Sequence, residues 1–376
     1  MSNQDLLIAK TAKKGSPVKS ITVKDIDIEK KQINLAVIGC GYWGPKLIRN
    51  FAQLKKVKLN TLCDLNPSKA YVIADEYALN SQVETDYLAI LNDPKIDGVV
   101  IATPAPYHFH MAQEALKAHK HVFVEKPLAM SVKECSELIR LAKQLNLVLM
   151  VGHVFRYNNA VQKIKEYIDQ GLLGNLLYIH SRRLNLGRIQ KDINAMWSFA
   201  PHDISILLYW LGEEPVKVTT KGFSYLNHGV EDVIFMTLEF PSGVETHTHL
   251  SWLHPKKVRE MAIMGSEKML IYDDVAIKEK IQIYDKCVAS QGDSLSQDEH
   301  SYAEFQTKVL YGNVTIPYLP FTEPLQLECQ HFIDCIRSGT LPLTSGQEGL
   351  RNVRVMEAAQ KSLNEGGIPV EVIQDE

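Results

Sequence analysis

Three glycines in the stretch NLAVIGCGYWGP, residues 34–45, constrain the fold more than any other feature of the chain. The run INLAVIG, 33–39, is short, apolar and closed by glycine, which predicts a strand. PKLIRNFAQLKK, 45–56, then places Leu47, Ile48, Phe51 and Leu54 at helical spacing. Pro45 falls at the first helical position, where a backbone N–H would lack a partner and the fixed φ of proline suits the helix. A G-x-G-x-x-G turn that leaves a strand and opens a helix has a definite use. Gly39 makes the tight turn, Gly41 lets the backbone approach a pyrophosphate, Gly44 permits close packing of helix on sheet, and the helix N-terminus faces the phosphates. Asp64 ends the next predicted strand, VKLNTLCD, 20 residues after Gly44, where a ribose 2′-OH would meet an acceptor. A carboxylate there repels a 2′-phosphate, and Leu65 and Asn66 follow in place of an arginine, so NAD is expected over NADP. Lys69, one turn later, softens that preference.

The alternation continues through a helix over 67–79, QVETD, GVVIATP, a helix over 107–119, HVFVEKP, a helix over 131–145 and LVLMVG. Six strands joined by crossovers predict an α/β fold with a doubly wound parallel sheet over 33–153. Ligands in such sheets bind outside the carboxyl ends of the strands. The tip of the fourth strand carries Thr103, Pro104 and His108, and that of the fifth carries Glu125, Lys126 and Pro127. A Glu–Lys pair ending an apolar strand is costly to bury unless partnered, and a mutual salt bridge at the rim is the plainer alternative.

A chain of 376 residues, 45% hydrophobic and 23% charged, predicts two domains. Beyond 153 the character changes. A helix over 159–170 leads to strand-like segments near 174–186, 216–226, 230–240, 243–253, 257–265 and 268–275, joined by turns such as PSG, 241–243. Short connections imply antiparallel pairing, hence an α+β domain with an open sheet over 154–376, closed by helices over 324–338 and 348–364. Between the first two of these strands, His202 stands at the start of an apolar helix expected from Ile204 to Leu211. Residues 1–32 hold seven lysines against four acids with no period, as a flexible extension would, and 290–301 read as an exposed loop. A formal net charge of -3 draws in neither nucleic acid nor acidic membrane, so a small molecule is the expected partner. Six cysteines without a C-x-x-C pair suit a reducing cytoplasm, and no apolar run reaches the roughly 18 residues that would span a bilayer. His247, His249 and His254 in THTHLSWLH lack an accompanying cysteine or carboxylate pair, so no metal is expected.

In order and spacing, GCGYWGP, TPAPYH, EKPLA, VGHVFRYNNAV and SFAPHDIS resemble the Gfo/Idh/MocA oxidoreductases, from about residue 33 to 370. GYWGPKLIRNF, RRLNLG, WSFAPHD and HLSWLHPKKVREMAIMGSEKMLIYDD look most like the bacterial members that oxidise the 3-hydroxyl of UDP-N-acetylglucosaminuronic acid. The resemblance implies a Rossmann domain and a C-terminal domain whose large, mostly antiparallel sheet covers the nicotinamide on one face. The other face would form a homodimer or homotetramer interface. Tyr42 and Trp43 join the implied cofactor set of Gly39, Gly41, Gly44, Asp64, Thr103, Pro104, His108, Glu125 and Lys126. His202 corresponds to the second catalytic residue of a D-x-x-x-H pattern, across the nicotinamide from Lys126. Ser198 stands where that pattern has aspartate, and Asp203 is not an obvious substitute.

Oxidising a secondary alcohol sends a hydride to the nicotinamide and a proton to a base while an alkoxide develops. His202 is expected to take the proton and Lys126 to bind the reacting oxygen. The lysine serves either as a cation or, with a lowered pKa, as the base itself. Arg156, Tyr157, Arg183 and Asn185 are candidate substrate contacts, since guanidinium groups suit a diphosphate or uronate, and Asn194 and Trp197 join them by resemblance. The implied activity is C3 oxidation of a nucleotide-linked sugar, feeding amino-sugar synthesis for surface polysaccharide. An inositol or free-sugar dehydrogenase, a ketosugar reductase and a non-catalytic sensor are the alternatives. Retention of Lys126 and His202 argues against the last.

Overall fold

The computed structural model describes residues 32–187, 189, 193–288, 309–310 and 312–373; the expected extension over 1–31 and the loop over 290–301 lie outside them. Strands β1 (Ile33–Ile38), β2 (Val57–Cys63), β3 (Gln82–Glu84), β4 (Gly98–Ile101), β5 (His121–Glu125) and β6 (Leu149–Gly152) form one parallel sheet. Its order is β3-β2-β1-β4-β5-β6, so the direction of winding reverses between β1 and β4 and opens a crevice above their ends. Helices α1 (Gly44–Ala52), α2 (Pro67–Glu76), α3 (Tyr87–Leu91), α4 (His108–Lys117) and α5 (Val132–Leu145) make the crossovers. Helix α3 escapes the pattern of apolar spacing because it is short, and the Asp86 side chain caps it through Leu88 N–H.

The second sheet has nine strands in the order β16-β13-β12-β11-β7-β10-β9-β8-β17. These are β7 (Leu176–Leu184), β8 (Lys217–Phe223), β9 (Val233–Glu239), β10 (Glu245–Ser251), β11 (Val258–Gly265), β12 (Met269–Asp273), β13 (Ile281–Tyr284), β16 (Val314–Thr315) and β17 (Val370–Glu371). All neighbours are antiparallel except β7 and β10. A separate ladder pairs β14 (Cys287–Val288) with β15 (Val309–Leu310). Helices α6 (Asn159–Asp169), α7 (Ala195–Leu211) and α9 (Gly346–Asn364) bury one face of the large sheet, while Tyr178, Phe223 and Phe235 stand exposed on strands β7, β8 and β9.

Of the two C-terminal helices, the first packs on the first sheet and the second ties the sheets together. Phe332 of α8 (Pro324–Ser338) packs edge-on against Phe51 and Phe123, with centroids 6.2 and 5.7 Å apart, in the core of the first sheet. Helix α9 gives Leu350 and Val353 to the first sheet's core and Val355 and Met356 to the second's. The site between them is thereby held on packed elements.

Helix α7 begins earlier than expected. Pro201 lies inside it, and His202 sits about two turns into the helix and not at its start. The Asn194 side chain caps the helix through Trp197 N–H at 3.1 Å, and burial of Ala195, Met196 and Ala200 outweighs the hydrogen bond that proline removes.

Candidate active site

The glycine turn has the geometry its sequence requires. Gly39 adopts φ +102°, and a Cβ there would meet Ala102 O at 2.6 Å. A Cβ on Gly44 would meet Gly39 O at 2.1 Å, whereas at Gly41 it would meet nothing within 4 Å. The turn is thus closed toward the protein and open on the side from which a pyrophosphate would approach. No side chain caps the N-terminus of α1; Pro45 has no N–H, and the Lys46 and Leu47 N–H groups turn to the Trp43 carbonyl at 3.0 and 3.4 Å. Asp64 accepts from Cys40 N–H at 2.8 Å and Asn66 N–H at 2.9 Å, which fixes its carboxylate beside the turn, with Lys69 Nζ 3.7 Å away. Lys46 Nζ lies 4.3 Å from the Tyr42 ring centroid and 4.2 Å from that of Trp43. These residues fit NAD on the observations that matter: an open backbone at Gly41, a helix start without a side-chain cap, and a carboxylate placed to accept from a ribose.

At the end of β5, Glu125 faces Gly152 across the β5–β6 ladder. A Cβ on Gly152 would lie 2.9 Å from the Glu125 carboxyl atoms, so glycine makes the slot that holds this side chain. Burial raises the Glu125 pKa, against the pull of Lys126; burial lowers Lys126, against the pull of Glu125, with Arg183 lowering it further. The Lys126 ammonium donates to the Ser198 carbonyl at 2.8 Å. His202 lies one turn beyond Ser198, and its pKa is held well below the usual value by burial first and then by Lys126, Arg183 and Arg259. Its imidazole is neutral at pH 7.

Several expected ligand contacts turn out to be engaged within the protein. Arg156 is buried, pairs with Glu348 at 2.7 Å and stacks on Tyr209 at 4.2 Å. Tyr157 packs into the first core with its hydroxyl 3.2 Å from Thr344 Oγ1. Arg183 faces inward and is held by both oxygens of Asp203, through Nε at 2.9 Å and Nη2 at 2.6 Å. Both guanidinium groups are thus already ion-paired, Arg183 with a buried carboxylate and Arg156 with a half-buried one. Asn194 caps α7 and donates to Glu231 at 2.9 Å, and the Trp197 indole donates to Gln360 at 2.9 Å. His108 is also internal, its ring nitrogens 2.7 Å from Pro127 O and 2.8 Å from Thr103 O, bracing the tips of β5 and β4. Thr103 and Pro104 stay at the rim of the crevice, and Asn185 is half-buried just past β7.

Sequence reasoning missed four participants. The Ser198 carbonyl has no residue signature, since every residue carries one. Gly152 was legible as a glycine closing an apolar strand. His153 is buried, with neither ring nitrogen bonded among the described residues and its pKa pushed down to about 3 by burial and Arg156. Phe155 lies with its ring centroid 5.1 Å from that of His202. His247 and His249 lie away from Lys126, beside Tyr178 and Phe235 on the other sheet face, and among the described residues no cluster of His, Cys, Asp or Glu is placed to hold a metal ion.

Comparison with known proteins places this geometry. Residues 33–153 match the NAD-binding Rossmann fold of the Gfo/Idh/MocA oxidoreductase family, and residues 161–271 match a Gfo/Idh/MocA C-terminal domain. The chain belongs to the Gfo/Idh/MocA family. It is 26% identical over 358 residues to the uncharacterized oxidoreductase YrbE of Bacillus subtilis, covering 91% of this chain and 97% of that protein. It is 27% identical over 356 residues to the NAD-dependent scyllo-inositol 2-dehydrogenase of the same organism, covering 91% and 96%. Among solved structures, UDP-N-acetylglucosamine 3-dehydrogenase GnnA of Acidithiobacillus ferrooxidans shares the fold with a TM-score of 0.73 at 22% identity, covering 89% and 98%. As a Gfo/Idh/MocA member the chain is an NAD-dependent oxidoreductase. Among the described residues no helix is long and apolar enough to cross a membrane.

Proposed function

We propose that the protein oxidises the 3-hydroxyl of a nucleotide-linked sugar such as UDP-N-acetylglucosaminuronic acid. The observation that carries the oxidation is a half-buried lysine anchored on the Ser198 carbonyl, with a half-buried neutral histidine one turn beyond Ser198 and within its electrostatic reach. NAD, when bound, supplies the hydride acceptor. Lys126, as the cation, donates a hydrogen bond to the reacting oxygen and steadies the developing alkoxide, and neutral His202 takes the hydroxyl proton. Burial keeps water from competing for that oxygen. The choice of a nucleotide sugar rests on GYWGPKLIRNF, RRLNLG and WSFAPHD, and the fold shared with the Acidithiobacillus 3-dehydrogenase is compatible with it. Exposed Tyr178, Phe223 and Phe235 support self-association through the open sheet face.

A second reading, oxidation of a free polyol, is favoured by one finding: Arg156 and Arg183 are ion-paired inside the protein and offer no clamp for a diphosphate. The readings part in one experiment. Purified protein with NAD is offered UDP- and dTDP-sugars, inositols and free sugars, with a 2-oxo acid present to recycle retained cofactor, and reduced nicotinamide and keto product are followed. Turnover of UDP-N-acetylglucosaminuronic acid supports the first reading; turnover of inositol and of no nucleotide sugar overturns it. Lys126→Met and His202→Asn test the roles, and near-native turnover in either removes the role given to that residue.

A further inference from the structure

Among the described residues the His202 imidazole has no hydrogen bond to set its plane. Its Nδ1 is buried and has no partner among the described residues. The adjacent carboxylate, Asp203, is turned onto Arg183, and the residue one turn earlier is Ser198, whose carbonyl takes the Lys126 ammonium. A ring that must receive a proton from a fixed direction still needs a fixed plane, since small angular errors are costly in proton transfer.

Phe155 supplies the contact. Its ring meets His202 at a centroid distance of 5.1 Å and an interplanar angle of 66°, the edge-to-face arrangement that aromatic quadrupoles favour. The same ring lies 4.9 Å from the guanidinium carbon of Arg183, which is itself held bidentate by Asp203 on α7, the helix that carries His202. Phe155 also lines a cavity of 240 Å³ with Trp43 and Pro324, at the junction between the glycine turn and this cluster. We infer that Phe155, gripped by the Arg183–Asp203 pair, is the positioning residue that orients the His202 imidazole. The arrangement differs chemically from a carboxylate partner. A carboxylate would orient the ring and also stabilise its charged form, whereas an aromatic edge orients it and leaves it neutral. Asp203 thus acts on His202 only at second hand, through Arg183 and Phe155.

The inference rests on His202 being the proton acceptor of the proposed function, so the test has one arm that needs no substrate. In protein labelled with ¹³C at histidine Cε1, the His202 resonance is identified by its loss in His202→Asn. Phe155→Leu is expected to shift or broaden that resonance, and Phe155→Tyr, which keeps the ring, to leave it in place. A His202 resonance unmoved in Phe155→Leu overturns the inference whatever the substrate proves to be. The second arm uses whichever sugar the wild-type protein oxidises: Phe155→Leu is expected to lower kcat about tenfold with KM and NADH affinity nearly unchanged, and Phe155→Tyr to restore it. Equal losses in Leu and Tyr variants, or none in Leu, also overturn it. Phe155→Met, similar in bulk and lacking the ring, repeats both arms if the leucine variant does not fold. Failure of nucleotide sugars to react bears on the proposed substrate alone.

Discussion

Lys126 crosses from the tip of one sheet to the helix of the other and donates a hydrogen bond to the Ser198 carbonyl at 2.8 Å. That single contact joins the strand bearing Glu125 to the helix bearing His202, and it sets the pH behaviour of the site. Burial brings Lys126 down to about 8, and His202 is held well below its ordinary value, so at neutral pH the lysine is the cation and the histidine the neutral acceptor. With these roles, kcat/KM is expected to be level near neutral pH and to fall as the pH rises through about 8, when Lys126 loses its proton. A pH–rate series measures this directly. A rate that climbs through the same range would make Lys126 the base and exchange the two roles.

Gly152 offers a more local test. Its missing Cβ is the space occupied by the Glu125 carboxylate, which a methyl group would approach to 2.9 Å. Gly152→Ala is expected to push Glu125 away from Lys126 and weaken the attraction that raises the lysine pKa. The alkaline limb of the pH profile should then move to lower pH, and kcat at pH 7.5 should drop about tenfold, while thermal unfolding shifts by only a few degrees. An unchanged limb would mean that Glu125 does not tune Lys126.

How far the sequence could be read depended on what kind of information each feature carries. The parallel sheet was legible because glycine, proline and apolar spacing act locally, and each of the six strands announced itself within a few residues. Lys126 stands out locally because a charged residue ending an apolar strand is costly to place without use, whereas His202 stands out only through its resemblance to a family motif. Arg183 and Arg156 are substrate candidates by residue type, while the structure shows each engaged with a carboxylate. Their partners, Asp203 and Glu348, lie 20 and 192 positions away, and only the fold shows that both guanidinium groups are already engaged. The start of α7 was misplaced for a related reason: Pro201 reads locally as a break, while the cap at Asn194 and the burial of the first two turns are tertiary facts.

The Arg183–Asp203 pair predicts an asymmetric response to mutation. Both side chains are almost wholly inaccessible, at 6% and 2% exposure, so removing one strands the other's charge in the interior. Arg183→Met or Asp203→Leu alone is expected to cost about 3–5 kcal/mol in urea unfolding, whereas the double replacement should recover much of that loss, because two apolar side chains of similar volume leave no charge unpaired. The double variant should nonetheless stay catalytically weak, since Phe155 would lose the group that grips it. A double variant as unstable as the singles would show that the pair acts through shape and not charge.

Asp64 is expected to decide which dinucleotide is preferred, and its geometry makes the outcome separable from simple damage. The carboxylate holds the glycine turn through Cys40 N–H and stands where a ribose hydroxyl would bind, with Lys69 Nζ 3.7 Å away. Asp64→Ala therefore does two things. Loss of the Cys40 bond loosens the turn and should weaken NAD and NADP together. Loss of the negative charge acts on NADP alone, because it removes repulsion of the 2′-phosphate and releases Lys69 to pair with it. NAD affinity is expected to fall about tenfold while NADP affinity holds or improves by up to about tenfold, so that the ratio of dissociation constants shifts by about one to two orders of magnitude. Fluorescence titration with NADH and NADPH measures both constants on one preparation. Adding Lys69→Ala should return most of the NADP gain, since the lysine is the only cation placed against Asp64 among the described ion pairs. Equal weakening of both dinucleotides in Asp64→Ala would confine Asp64 to bracing the turn and leave the preference for NAD to other residues.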